Sequence, residues 1–152
     1  MRRHDREMTD RFEMEPLLTE AKVCRFGCDD NGLPYIVPLS FGYREGVIYI
    51  HSAHEGRKSE MLKKNPACYT KANECKGVMR DETPCKYEMH YRSVIYQGRA
   101  YFVTDPGEKQ EGLDCILQHY VAKSHLSSEN ELQMACVLRI EIAEITGKKY
   151  GD

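Results

Sequence analysis

Residues 47–66, VIYIHSAHEGRKSEMLKKNP, gather side chains suited to a negatively charged ligand. Ser52 and Glu55 have the S-x-x-E spacing of a capping box, which predicts a helix starting just after Ser52. Asn65-Pro66 would end it. His51, Ser52, His54, Arg57 and Lys58 then fall around the free amides of a first helical turn. Such a turn attracts anions, because its N–H groups and dipole point outward and its cations add charge. The segment therefore reads as a phosphate site.

The elements around it follow from pattern. Residues 10–21, with Phe12, Leu17, Leu18 and Ala21, read as a short helix weakened at Pro16. KVCRFGC (22–28), the turn DDNG and LPYIVPLSFGY (33–43) read as a hairpin. Pro34 and Pro38 cannot donate ladder hydrogen bonds, so the second strand is an edge, is bulged or faces a ligand. With VIYIHS this predicts three consecutive antiparallel strands. ACYTKANE (67–74) is a strand, 75–85 a polar loop, and 88–105 a strand pair or one bent strand with a bulge at Gly98. Residues 105–121 read as a helix burying Leu113, Ile116, Leu117 and Tyr120. A polar loop (122–133) and a half-buried strand (134–148) follow. The whole reads as one domain over 1–152, an α+β, mainly β, antiparallel barrel of about six strands with flanking helices.

Composition excludes several functions. The 22 Lys+Arg against 24 Asp+Glu give no field for general nucleic-acid binding. No stretch reaches the roughly 18 apolar residues of a membrane span. Seven cysteines, an odd count without C-x-x-C, read as free thiols of a cytoplasmic protein. A metal at Cys75, Cys85 and His90 stays open as a minor alternative, as does cysteine-based redox chemistry. The charged arm MRRHDREMTD reads as ordered only by a partner.

Pro38-Leu39 with Phe41-Gly42-Tyr43, the H-S-A-x-E-G-x-K run at 51–58, and Tyr91-Arg92-Ser93-Val94-Ile95 with Gly98 occur in one order. Together they resemble the nitroimidazole-resistance (Nim) branch of the pyridoxamine 5′-phosphate oxidase-like flavoproteins, over about residues 1–149. The region 75–87 departs from that pattern. The resemblance implies a split β-barrel holding FMN at a homodimer interface. It implies Arg57 and Lys58 as phosphate cations, with Ser93, Arg92 and Ser52 adding hydrogen bonds. Val37, Pro38 and Leu39, and the run His51, Ser52 and Ala53, would border the isoalloxazine ring, with Tyr91 packed nearby. Two readings of His51 stand, a proton donor in catalysis or a structural histidine. The implied function is an FMN-dependent oxidoreductase that takes electrons from NAD(P)H and reduces a small, nitroaromatic acceptor. A flavin- or haem-binding sensor or store without turnover is the alternative.

Overall fold

The structure, a computed structural model, describes residues 3–151. Its strands are β1 (Glu7–Met8), β2 (Cys24–Asp30), β3 (Leu33–Leu39), β4 (Gly42–Arg44), β5 (Val47–Ser52), β6 (Ala67–Met79), β7 (Glu88–Phe102) and β8 (Cys136–Tyr150). They form one antiparallel split-barrel sheet in the order β3-β2-β6-β7-β8-β5-β4, with β1 paired to β8. Eight strands thus stand among the described residues where about six were expected, since β1 and the short β4 are strands in their own right.

Asn31 and Gly32 take φ of 53° and 87° and close the β2–β3 hairpin, the two positive values that a type I′ turn requires. β3 pairs only with β2, so its prolines sit on an edge, as the missing donors demand. The three consecutive strands are not formed. β4 and β5 lie at the opposite end of the sheet path from β3, because a proline-bearing edge offers β5 too few donors. β7 is one long strand, and its register with β8 shifts between Gln97 and Gly98.

Among the described residues the α-helices are α1 (Arg11–Met14), α2 (Pro16–Glu20), α3 (Arg57–Lys64), α4 (Pro106–Val121) and α5 (Glu129–Met134). The expected helix over 10–21 is split in two, with Pro16 in the first turn of the second piece, where its missing N–H costs nothing. Leu17 and Leu18 are buried there, while Phe12 is 85% exposed. The loop expected at 75–85 is mostly strand. β6 continues past a bulge at Cys75/Gly77 and pairs with β7 up to Met79, leaving a short turn at Pro84–Lys86. Both faces of this extension are exposed, so its polar residues carry no strand-like alternation. Ser128 caps α5 within the expected loop at 122–133. Of the N-terminal arm, Met1 and Arg2 lie outside the described residues. The rest is held by the protein itself, through β1–β8 pairing and the Arg6 guanidinium 3.5 Å from the Tyr150 ring centroid.

The core forms two clusters. The larger, inside the barrel, includes Phe26, Phe41, Ile48, Ile50, Tyr96, Leu138 and Ile140. The smaller, of Tyr49, Val103, Cys115, Ala135 and Val137, lies under α4. Gly112 permits that contact, since a Cβ there would stand 2.8 Å from Tyr49 Cδ1. On the same helix the predicted apolar stripe of Leu113, Ile116, Leu117 and Tyr120 is only half-buried, and Gly112 and Cys115 are the buried positions.

Candidate functional site

The helix after β5 starts later than the S-x-x-E spacing predicts. Its N-cap is Gly56, at φ 112°, and no side chain caps it. Ser52 Oγ donates instead to the Ala53 carbonyl at 3.3 Å, so the Ser52–Glu55 capping box is not formed. The glycine shifts the helix start to Arg57 and places Arg57 and Lys58 in the first turn. Ser59 donates back to the Ala53 carbonyl at 2.9 Å, and Met61 and Leu62 anchor the inner face.

Arg57 and Lys58 differ in surroundings. Arg57 Nη2 lies 2.6 Å from Asp30 Oδ2, and the guanidinium sits 5.0 Å from the Tyr35 ring centroid. Lys58 is half-buried and has no hydrogen-bond or ion-pair partner among the described residues. Burial lowers its pKa, an effect that the nearby Cys136, Cys28 and Cys24 oppose. An ammonium partly removed from water without an acceptor is costly, and an anion relieves that cost. Val37 and Leu39 share the Tyr35 face of β3 and pack against the core, whereas Pro38 points to the other face. Arg57, Lys58, Ser52, Ala53 and this face of β3 thus gather at one end of the barrel.

Ser93 and Tyr91 lie elsewhere, on the outer sheet face. They line a groove of about 480 Å³ with Lys71, Lys148, Thr146 and Ile95. Ser93 is in register with Lys148 on β8, and neighbouring Ile95 with Lys71 on β6. Neither lysine has a hydrogen-bond or ion-pair partner among the described residues. Arg92, one residue from Ser93, leaves the opposite face and binds Glu74 at 2.8 Å and Glu20 at 3.3 Å.

His51 occupies a third place. It is exposed at the end of β5, in a groove of about 330 Å³ formed with α4. Its ring has no hydrogen-bond partner among the described residues. Within one chain, then, the candidate residues fall into three groups. Sequence reasoning missed Asp30 and Tyr35 beside Arg57, the lysines flanking Ser93, and the α4 wall beside His51. The period-two alternation of β6 and β8 was the available signal for the lysines.

The most buried cysteines are poorly suited to nucleophilic chemistry. Burial pushes the Cys24 and Cys68 thiols up to about 12, so at neutral pH they are not thiolates. No group of three His, Cys, Asp or Glu side chains among the described residues is placed to hold a metal ion. No helix among them is long and apolar enough to cross a membrane.

The fold is thus an antiparallel split barrel with two cations in the first turn of α3. The pyridoxamine 5′-phosphate oxidase family profile matches residues 10–149, and the chain belongs to that family. It is similar to a Bacteroides thetaiotaomicron protein provisionally assigned to 5-nitroimidazole antibiotic resistance. The two share 31% identity over 93% of this chain and 85% of that one, with a TM-score of 0.83. A flavocytochrome of Azotobacter vinelandii shares the fold at a TM-score of 0.87, with 21% identity over 100% of this chain and 72% of that one. So does an FAD-binding protein of Mesorhizobium loti, at 0.71 and 23% identity over 96% and 98% of the two chains. No curated protein matches the chain.

Proposed function

We propose that the chain is an FMN-dependent oxidoreductase, acting as a homodimer, that reduces a small nitroaromatic acceptor with electrons drawn from NAD(P)H. The observation that carries this reading is Lys58, a half-buried cation with no acceptor at a helix N-terminus. A flavin phosphate supplies the missing anion. Bound flavin supplies reversible two-electron chemistry that protein side chains lack.

The chain's own residues have distinct tasks in this account. Lys58 and the first amides of α3 hold the phosphate, and Arg57 joins them on exchanging Asp30 for it. Ser52, Ala53 and the backbone of Val37, Pro38 and Leu39 border the ring. His51 offers a proton at the edge of the site. Arg92, held by two carboxylates, fixes α2 to the sheet and orients β7 behind Ser93.

A second copy completes the site. The outer sheet face exposes Ile36 by 65%, Tyr69 by 53% and Ile95 by 41%, a patch that invites association. Docking this face on another copy would bring Ser93, Tyr91 and the two lysines toward the partner's α3. The seven free thiols suit a cytoplasmic setting.

Exchange of Lys58 for Met tests the reading. Flavin affinity should fall about 10- to 100-fold, the worth of one charge-assisted hydrogen bond. Unchanged affinity would remove Lys58 from the phosphate site.

A further inference from the structure

We infer that Cys28 and Cys68 are a modification site, a thiol pair that closes into a reversible disulfide under peroxide and fastens β2 to β6 at the α3 end of the barrel. The two are register partners across those strands. They are 8% and 1% exposed and both belong to the barrel core, so their side chains leave the sheet on the same face. Directly opposed residues of an antiparallel pair have Cα atoms about 4.5 or 5.5 Å apart. Either value lies inside the roughly 4.4–6.8 Å that a disulfide spans. Both thiols are free in the structure. Among the described residues no other two cysteines are register partners. Cys24 shares the buried face of Cys28 but sits four residues back along β2, about 13 Å away and out of reach.

Unequal exposure sets the order of events. Cys28 opens onto a groove of about 470 Å³ with Asp29, Gly32, Asn65 and Tyr69, whereas Cys68 is sealed. Burial raises the Cys28 pKa, Lys58 opposes that rise, and Asp30 and Asp29 add to it. Hydrogen peroxide, little larger than water, meets Cys28 first. It oxidises that thiol to a sulfenic acid and leaves as water. Cys68 then attacks the oxidised sulfur. The S–O bond breaks, the S–S bond forms and a second water leaves. In total the two thiols give two electrons and two protons to one peroxide. Burial pushes Cys68 up to about 12, so roughly one thiol in 10⁵ is ionised at neutral pH. A neighbour held in place acts at an effective concentration of about 10⁵ M or more, which offsets that deficit.

The bond closes the segment 28–68, which carries Ser52, Ala53, Arg57 and Lys58. Asp30, the partner of Arg57 at 2.6 Å, lies just beyond Cys28 on the same strand. Oxidation therefore ties together both ends of the segment that bears the first turn of α3. Flavin takes no part in the step.

Peroxide treatment of the reduced protein, then alkylation, trypsin digestion without reductant and mass mapping, tests this. The tryptic peptides 26–44 and 65–71 carry one cysteine each, Cys28 and Cys68. They should appear joined, and dithiothreitol should separate them. The melting temperature should rise by roughly 5–15 °C on oxidation, in keeping with a loop of this length, and return on reduction. Cys75→Ser with Cys85→Ser, which removes the exposed thiols, should keep both effects, and Cys28→Ser should abolish both. Should Cys28→Ser fail to fold, Cys28→Ala serves the same purpose. Peptides recovered singly, either one joined to a different cysteine, or Cys28 found as sulfinic acid would overturn the pair. Joined peptides without a rise in melting temperature, or a rise that survives in a folded Cys28 variant, would overturn the fastening.

Discussion

Arg92 and Ser93 are neighbours in β7 whose side chains leave the sheet on opposite faces. Arg92 meets Glu74 and Glu20, and Ser93 faces the groove of Lys71 and Lys148. The YRSV run therefore serves two purposes. Arg92→Ala should cost about 1 kcal/mol, since its ion pairs are partly solvated, lowering the melting temperature by roughly 2–4 °C. Flavin affinity should stay the same. Thermal melts and flavin titrations on the same variant separate the two effects, and lost flavin binding with an unchanged melt would assign Arg92 to the ligand.

Gly42 lets β4 approach α4. A Cβ there would lie 2.5 Å from the Cys115 carbonyl carbon, which is backbone and cannot rotate aside. Gly42→Ala should destabilise by about 3 kcal/mol, measured by urea denaturation. A loss below 1 kcal/mol would show that α4 slides freely on β4.

Lys58 trades stability for binding. Burial depresses its folded pKa below 10.5, so the protonated lysine is disfavoured in the fold. Its contribution to stability is present above pH 10.5 and lost as pH falls through the folded pKa. In the flavin-free protein Lys58→Met should therefore be more stable than the parent at neutral pH. That advantage should shrink as pH rises toward 10.5. Denaturation curves at pH 7 and pH 10 check the sign, and a Met variant less stable at pH 7 would reverse the assignment.

Asp30 competes with phosphate for Arg57 across the 2.6 Å ion pair. Asp30→Asn removes both the competitor and a negative charge near the site. Flavin affinity should rise about 3- to 10-fold, in keeping with about 1 kcal/mol for an exposed pair. Titration of flavin into parent and variant decides it, and weaker binding would mean that Asp30 orients Arg57 rather than sequesters it.

Local turn chemistry carried much of the fold into the sequence. Asn31-Gly32 and Gly98 permit conformations that other residues resist, Pro34 and Pro38 remove donors, and the hairpin, the edge strand and the register shift lie where those residues put them. Capping spacing was a weaker guide. Ser52 and Ser128 both precede a glutamate at the third position. Only Ser128 closes the box, because Gly56 at positive φ starts α3 four residues later than Ser52 would. Strand order was not legible, since β2 takes β6 as its second partner across 40 residues of chain. The same limit applies to the site. Arg57 and Lys58 could be found from their helix, but Asp30 reaches Arg57 from the β2–β3 hairpin, and Lys71 and Lys148 reach the separate groove of Ser93 through strand register.

An absorption spectrum of the freshly purified protein, with the released ligand identified by mass after denaturation, tests the central claim most directly. Two flavin bands and the mass of FMN are the expected result, with the mass of FAD correcting only the nucleotide. A Soret band, or a colourless protein that takes up no added FMN, would contradict the account.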